Sequence, residues 1–350
     1  MHRDVAGDSG FVAHHGMLTR RMLIAAAPMA ASIAPPVAAL AAPPQAPALR
    51  TMPPGFVRFI AEVKAQARRA GIGEATLTRA FEGVRYNGRV IELDNHQPEF
   101  TLTWPQYRDR IVSDARVARG RALYATHRKL LADVFARYYV PPGVIMGIWG
   151  IESNFGQSSG GFNVIEALAT LAWQGRRAAF FRSELMDALK ILDHGDIPAA
   201  DMVGSYAGAM GQPQFMPDSF LKFAADFHGN GRRDIWNDPA DIFASVANYL
   251  ARSGWTDRLP WGVPARLPQG FDTALAGREH RRPLADWLRL GVQGFGRPMP
   301  PDASTAIVLP GGPGGDAFLI SSANFQAIRR YNPSDFYCIS VGLIGDRVTA

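Results

Sequence analysis

Apolar residues recur at helical spacing along most of this chain. Phe56, Ile60, Val63 and Ala67 fall three and four apart, the signature of one face of an α-helix. The stretch Thr101–Val140 carries the same period, with Ile111, Ala115, Ala118, Ala122, Leu130 and Val134 as inner positions. Within it Trp104, Tyr107 and Arg110 share roughly one face, which reads as an aromatic core stripe. Pro141-Pro142 opens another helix, because an N-terminal turn loses nothing with a missing N–H. Gly156 stops it. Asn163-Val-Ile-Glu166 has the form of a capping box ahead of Ile165, Leu168, Leu171 and Ala172. A further helix begins near Arg177, carries Phe181, Leu185, Leu189 and Leu192, and ends at Gly195. Pro217 starts one with Phe220, Phe223, Ala224 and Phe227 inward, and Asp238-Pro239 caps one with Ile242, Val246, Tyr249 and Leu250 inward. Gly204–Gln214 is too rich in glycine to be helical throughout.

The pattern changes over residues 256–316, where proline and glycine rise. Ile307-Val308-Leu309 and Phe318-Leu319-Ile320 flank Pro310-Gly-Gly-Pro-Gly-Gly315, which predicts a small hairpin. No internal repeat and no heptad pattern is present. The expected fold is mainly α (α+β), with one small β-rich insertion. The expected segments are 1–41, a signal peptide; 42–54, a Pro/Ala-rich linker; 55–139, an N-terminal helical region; 140–255, the core; and 256–345, a β-rich region with a C-terminal segment.

At 350 residues with 47% hydrophobic and 19% charged, the chain can bury a large core. The formal charge is +6, and only Lys64, Lys129, Lys190 and Lys222 are lysines, so arginine supplies nearly all the cations. A basic surface favours an anionic polymer, or arginine is simply the preferred cation here. No basic run with interleaved aromatics appears, which argues against nucleic acid. Cys338 is the only cysteine, so an intrachain disulfide, a cysteine metal site and an N-terminal lipid anchor are excluded. Arg20-Arg21-Met-Leu-Ile, an apolar run through Ala34, and Ala39-Leu40-Ala41 follow the order of an export signal with a cleavage site. Paired arginines fit the twin-arginine type. Met1 and Met17 are both candidate starts. The apolar run is too short and alanine-rich for a membrane span, so the mature chain is expected to be exported and soluble.

Two stretches carry chemistry. In the first, Glu152 ends the apolar run Val144–Ile151, with Ile148 and Trp149 at i−4 and i−3. A carboxyl against such neighbours loses hydration, and its pKa rises toward the range of a general acid. The alternative is a carboxylate in water at a fraying helix end. In the second, Ser205-Tyr-Ala-Gly-Ala-Met210-Gly-Gln-Pro-Gln214-Phe215-Met-Pro217, glycines let backbone approach a ligand. Gln214 can meet sugar hydroxyls, and Met210, Phe215 and Met216 offer an apolar floor. The alternative is an ordinary loop between helices.

Together these stretches resemble the lytic murein transglycosylases, and more narrowly the membrane-bound lytic murein transglycosylase B family. Trp104-Pro-Gln-Tyr107, Gly175-Arg176-Arg177, Val246-Ala-Asn-Tyr249, Asn324-Phe325 through Arg330-Tyr331-Asn332, and Phe336-Tyr337 match its other motifs in order, from about residue 51 to 345. The resemblance implies a lysozyme-like helical core with an additional helical domain. It also implies cleavage of the bond between N-acetylmuramic acid and N-acetylglucosamine in peptidoglycan. Glu152 is the implied catalytic acid and base. Ser153, Ser205, Met210, Gln214, Phe215, Tyr249, Tyr331, Asn332 and Tyr337 are implied to line the groove. Tyr107, Arg176 and Arg177 are implied further contacts, the arginines suited to carboxylates. Glycan strands are the implied partner, with wall-synthesis or hydrolysis proteins as further partners.

Ordinary glycosidases use two carboxylates. The motifs here embed one, which suffices if the substrate's own C6 hydroxyl attacks and closes a 1,6-anhydro ring. Asp201 or another acid brought near by folding would suit a hydrolytic muramidase instead, and a non-catalytic glycan-binding scaffold is the remaining alternative. No cofactor is required by the implied reaction. The family often has an EF-hand-like calcium loop. Here Asp226, His228, Asn230, Arg232 and, late, Asp241 stand where its ligands would be, with Asn237 in place of the bidentate glutamate. A weakened calcium site and a loop held by its own turns are both open.

Overall fold

The computed structural model describes residues 52–96 and 102–350. The export signal expected at 1–41, and most of the linker, lie outside the described residues. The fold is mainly helical, as the periodicity predicts. Helices α1 (Pro54–Arg69), α2 (Glu74–Ala80) and α3 (Gly88–Asn95) precede α4 (Trp104–Ile111) and the long α5 (Asp114–Tyr138). Then come α6 (Pro142–Ser153), α7 (Val164–Gln174), α8 (Ala178–His194), α9 (Pro217–Phe223) and α10 (Pro239–Arg252). After α11 (Leu284–Arg289), α12 (Ser322–Tyr331) and α13 (Asp335–Thr349) close the chain.

Strands β1 (Phe162–Asn163) and β2 (Val203–Gly204) form a small antiparallel pair. Strands β3 (Gly262–Arg266), β4 (Arg282–Pro283), β5 (Gln293–Gly294), β6 (Ser304–Val308) and β7 (Ala317–Ser321) form an antiparallel sheet in the order β4-β6-β7-β3-β5. The hairpin read from the sequence is β6–β7, with Ile307 opposite Leu319. A small core of Val263, Leu284, Trp287, Val292, Ile307 and Leu319 lies under this sheet. One larger core runs from Phe56 on α1 to Val348 on α13.

Two sequence expectations need correcting. The segment expected as one helix over Thr101–Val140 breaks at Val112-Ser113, where the Ser113 hydroxyl accepts from Arg116 N–H and caps α5. The buried face of α5 is Val117, Gly120, Leu131 and Val134, while Ala115, Ala118 and Ala122 are exposed. Gly120 belongs to that face because a Cβ there would lie 2.5 Å from Val348 Cγ2 and 2.7 Å from Phe155 Cζ. The alanine period therefore does not mark the buried face, which closes on the smaller Gly120 instead.

The contact that positions the site is between α6 and α13. Gly143 and Gly147 lie one turn apart on α6. A Cβ on Gly143 would lie 3.2 Å from Gly345 O, and one on Gly147 would lie 2.1 Å from Val341 O. The two helices therefore touch backbone to backbone and run antiparallel. Continuing that register brings the last turn of α6, with Glu152, against the first turn of α13, with Tyr337.

Candidate active site

Glu152 is 6% exposed, and the Tyr337 hydroxyl donates to its Oε1 at 2.7 Å. Burial first, then the neighbouring Glu152 charge, pushes the Tyr337 phenol well above its ordinary pKa. The phenol therefore stays protonated and donates. Residues after Glu152 reverse the chain sharply, since Asn154 and Phe155 have φ of 49° and 58°. Asn154 caps α6 in the left-handed conformation, its N–H reaching Trp149 O.

The glycine-rich stretch is a set of tight turns. Met210 and Phe215 exchange backbone hydrogen bonds at 2.8 and 3.0 Å. Gln214 sits at the corner with φ of 54°. Its side-chain amide donates to Ser159 O and Gly211 O, both at 2.8 Å, which leaves its carbonyl oxygen for a ligand. The Ser205 hydroxyl accepts from Ala209 N–H at 3.1 Å. Below the loop the rings of Phe215, Tyr249 and Tyr331 pack together, with Tyr249 and Tyr331 centroids 4.7 Å apart. The Tyr331 hydroxyl donates to Pro213 O at 2.6 Å, and the Tyr249 hydroxyl donates to Arg330 O.

The structure thus joins Tyr337 to Glu152, and packs Tyr331 and Tyr249 against the loop that carries Ser205 and Gln214. Several sequence-predicted residues also make structural contacts. Met210, Phe215 and Tyr331 are 0% exposed, so they form the floor beneath the site and present no surface to a sugar. Ser153 is 1% exposed. Its hydroxyl donates to Trp149 O at 3.2 Å and accepts from Gly156 N–H at 3.0 Å, fastening the last turn of α6. Asn332 is half-buried and accepts from Ser334 N–H at the start of α13. Tyr107 is half-buried, its ring 5.5 Å from that of Phe336, the neighbour of Tyr337. Arg176 pairs with the buried Asp94 of α3, at 3.5 Å from its carboxylate. Arg177 lies over Phe181 and Phe180, at 5.0 and 5.2 Å. These contacts tie both arginines to α3 and α8. The Glu166 carboxylate does not complete a capping box, because it accepts instead from Arg85 N–H and Asn87.

Sequence reasoning passed over Gln212. Its Oε1 accepts from the Trp149 indole N–H at 2.6 Å, and its amide donates to Trp236 O at 2.8 Å. It therefore fixes the acid-bearing helix to the glycine loop. The signal available was a glutamine inside a loop of glycines and apolar residues, one short turn after Met210.

Other buried carboxylates among the described residues are Asp94, Glu184, Asp196 and Asp241. Each is engaged elsewhere. Asp94 pairs with Arg176. Glu184 accepts from Asp218 N–H. Asp196 pairs with Arg233 at 2.5 Å and His194 at 3.1 Å. Asp241 accepts from the N–H groups of Phe227 and Asp234, both at 2.8 Å.

Those last bonds bear on the calcium question. Asp226 accepts from Gly229, Asn230 and Gly231 N–H groups, and Asn230 Oδ1 accepts from Arg232 N–H. Burial, and then the nearby Asp238 and Asp226 charges, raise the Asp241 carboxyl against these N–H bonds. Among the described residues no three acid, histidine or cysteine side chains converge on a metal position. With histidine at the third position and asparagine at the twelfth, the donors present do not make an EF-hand oxygen cage. The loop is closed by its own backbone.

Comparison with known proteins places this geometry. Residues 55–346 match the transglycosylase SLT domain family. Membrane-bound lytic murein transglycosylase B of Escherichia coli strain K12 is 33% identical over 278 residues, covering 73% of this chain and 72% of that protein. The crystal structure of SltB3 from Pseudomonas aeruginosa in complex with NAG-anhNAM-pentapeptide matches with a TM-score of 0.81 at 45% identity, covering 84% of this chain and 80% of that one. The Escherichia coli lytic transglycosylase Slt35 in complex with calcium matches with a TM-score of 0.69 at 30% identity, covering 85% of this chain and 93% of that one. With its buried glutamate under the C-terminal tyrosine, and the match running through nearly all the described residues, this chain belongs to the SLT-domain family of lytic murein transglycosylases.

Proposed function

We propose that this enzyme cleaves the β-1,4 bond between N-acetylmuramic acid and N-acetylglucosamine in peptidoglycan and leaves a 1,6-anhydro end. The observation that supports this most is the burial of Glu152 beneath the Tyr337 hydroxyl. Burial disfavours the charged form of a carboxyl, which suits it to deliver a proton. Glu152 protonates the glycosidic oxygen as the C1–O4 bond breaks, and N-acetylglucosamine leaves with its 4-hydroxyl. The substrate's N-acetyl group steadies the oxocarbenium-like carbon. Glu152, now a carboxylate, takes the proton of the C6 hydroxyl as O6 bonds to C1. The acid is regenerated and no water is consumed. Tyr337 orients the carboxylate. The commitment of the other buried acids to structural partners favours this route over a two-carboxylate hydrolysis. The relative's complex with an anhydro-muropeptide is in keeping with it.

In this reading Ser205, Gln214, Tyr249, Asn332 and Tyr107 line the glycan groove, and Arg176 and Arg177 face peptide carboxylates at its edge. Calcium has no part in the reaction. The segment 1–41 exports the chain to the periplasm, where it turns over wall material alongside wall-synthesis or hydrolysis proteins. No helix of the described residues is long and apolar enough to cross a membrane.

A digest of purified peptidoglycan, with soluble products weighed by mass spectrometry, tests the proposal. Anhydromuropeptides, lighter by one water than reducing-end products, are expected. Reducing ends would make the enzyme a hydrolase. Binding without any release would make the chain a scaffold.

A further inference from the structure

A cavity of about 300 Å³ opens between α2, the C-terminal end of α8 and the loop that carries Arg232. That volume sits at the small end of the range for ligand pockets, about 300–1,000 Å³. Its walls combine two kinds of surface. Leu192, Ile197 and Ala199 are apolar, while Thr76, Arg79 and Arg232 bring hydrogen-bond donors. Thr76 is 6% exposed, and its hydroxyl makes no hydrogen bond among the described residues. Arg79 makes no ion pair among the described residues, and Arg232 reaches only the backbone oxygen of Asp196, at 3.5 Å. Nearby acids are committed elsewhere: Glu74 to Arg68, Asp193 to Gly73 N–H, Asp196 to Arg233 and His194. The cavity therefore has cationic donors without an acceptor beside a small apolar wall.

We propose that this cavity binds the free C-terminal carboxylate of a wall peptide ending in a small apolar residue. The carboxylate lies between the Arg79 and Arg232 guanidiniums, which match its two oxygens, and the Thr76 hydroxyl donates to it. The terminal methyl group rests on Leu192, Ile197 and Ala199. The cavity is also mechanically joined to the active-site loop. The segment past Ala199 leads through β2 to Ser205, and the Trp236 indole N–H beyond Arg232 donates to Val203 O at 2.9 Å. The peptide assignment rests on the peptidoglycan reading above.

The test is calorimetric titration of the purified protein, in phosphate-free buffer, with N-acetyl-D-alanyl-D-alanine and with its C-terminal amide. The acid is expected to saturate one site, and the amide to bind at least about tenfold more weakly, as loss of a charge-assisted contact implies. Arg79→Ala removes an exposed side chain and is expected to weaken the acid by a similar factor, with an unchanged melting temperature. Thr76→Val, which keeps the shape, is expected to act in the same direction. Arg79→Ala should raise KM on peptide-bearing glycan and leave cleavage of peptide-free glycan alone. No saturation by the acid, equal binding of acid and amide, or no effect of Arg79→Ala would overturn the proposal. So would inorganic phosphate binding as tightly as the peptide. Loss of peptide binding with glycan cleavage intact sinks the pocket alone. Absent cleavage with peptide binding intact sinks the catalytic reading instead.

Discussion

Replacing Gly147 by alanine sets two physical effects against each other at the helix contact that builds the site. Helix propensity alone favours the change by about 1 kcal/mol, because alanine loses less backbone entropy than glycine. Packing opposes it. The new Cβ would lie 2.1 Å from Val341 O and 2.9 Å from Val341 C, whereas a carbon rests against a carbonyl oxygen at about 3.3–3.6 Å. Both offending atoms are backbone, so no rotamer change relieves them. The helices α6 and α13 must part by about 1 Å. Overpacking of this kind costs about 1–3 kcal/mol, occasionally more. Because the clash is with main chain, we place the net loss near the top of that range less the propensity gain, about 2 kcal/mol. For a chain of this size that corresponds to a melting temperature lower by about 3 °C. The same separation carries Tyr337 away from Glu152 and lengthens their 2.7 Å hydrogen bond beyond bonding range. Activity per folded molecule at 25 °C should therefore fall as well. Circular dichroism melts and release of soluble muropeptides read the two effects. Gly161→Ala is the control: nothing lies within 4 Å of its Cβ position, so its effect should stay within about 0.5 kcal/mol. A Gly147→Ala melting temperature equal to or above wild type would refute the packing argument. A lowered melting temperature with undiminished activity would refute the link from that contact to the acid.

Glu152→Gln should lower turnover by at least about 100-fold, the usual worth of a general acid, with glycan binding and melting temperature retained; near-normal lysis would remove Glu152 from the chemistry. Tyr337→Phe should lower kcat while KM changes little. Because the Tyr337 pKa is raised, the phenol and its contribution to stability persist below about pH 10, the unfolded value, and are lost only as pH climbs through the higher folded one. A basic limb in the wild-type activity profile below about pH 9 that disappears in Tyr337→Phe would contradict this. Calcium added to chelator-treated protein should give no binding heat and no shift in melting temperature; a clear shift would mean that Asp226 and Asp241 share a cation after all.

What could be read from the sequence follows from what each signal depends on. Glu152 stood out because it ends an apolar run, and burial of that run carries the acid with it. The β6–β7 hairpin was legible because two short apolar runs and a Pro/Gly turn between them are all local. The floor residues Met210, Phe215 and Tyr331 were read as contacts because chemistry-bearing types inside a recognisable motif do not say which side faces the ligand. Gln212 was missed for a related reason: its partners Trp149 and Trp236 lie 63 and 24 residues away. The glycines of α6 are the most instructive case. Gly143, Gly147 and Gly150 weaken a helix by propensity, so local reasoning counts them against it. Their spacing places all three on the packed side. A Cβ on Gly150 would lie 2.7 Å from the Phe155 ring, just as those on Gly143 and Gly147 would meet α13. The helix gives up intrinsic stability so that α13 and the reversed chain at Phe155 can close on it. That close approach is what places a tyrosine from residue 337 on a glutamate at 152. A pattern of three glycines among apolar residues, set just before a lone acid, was the available sign that another backbone would cross there.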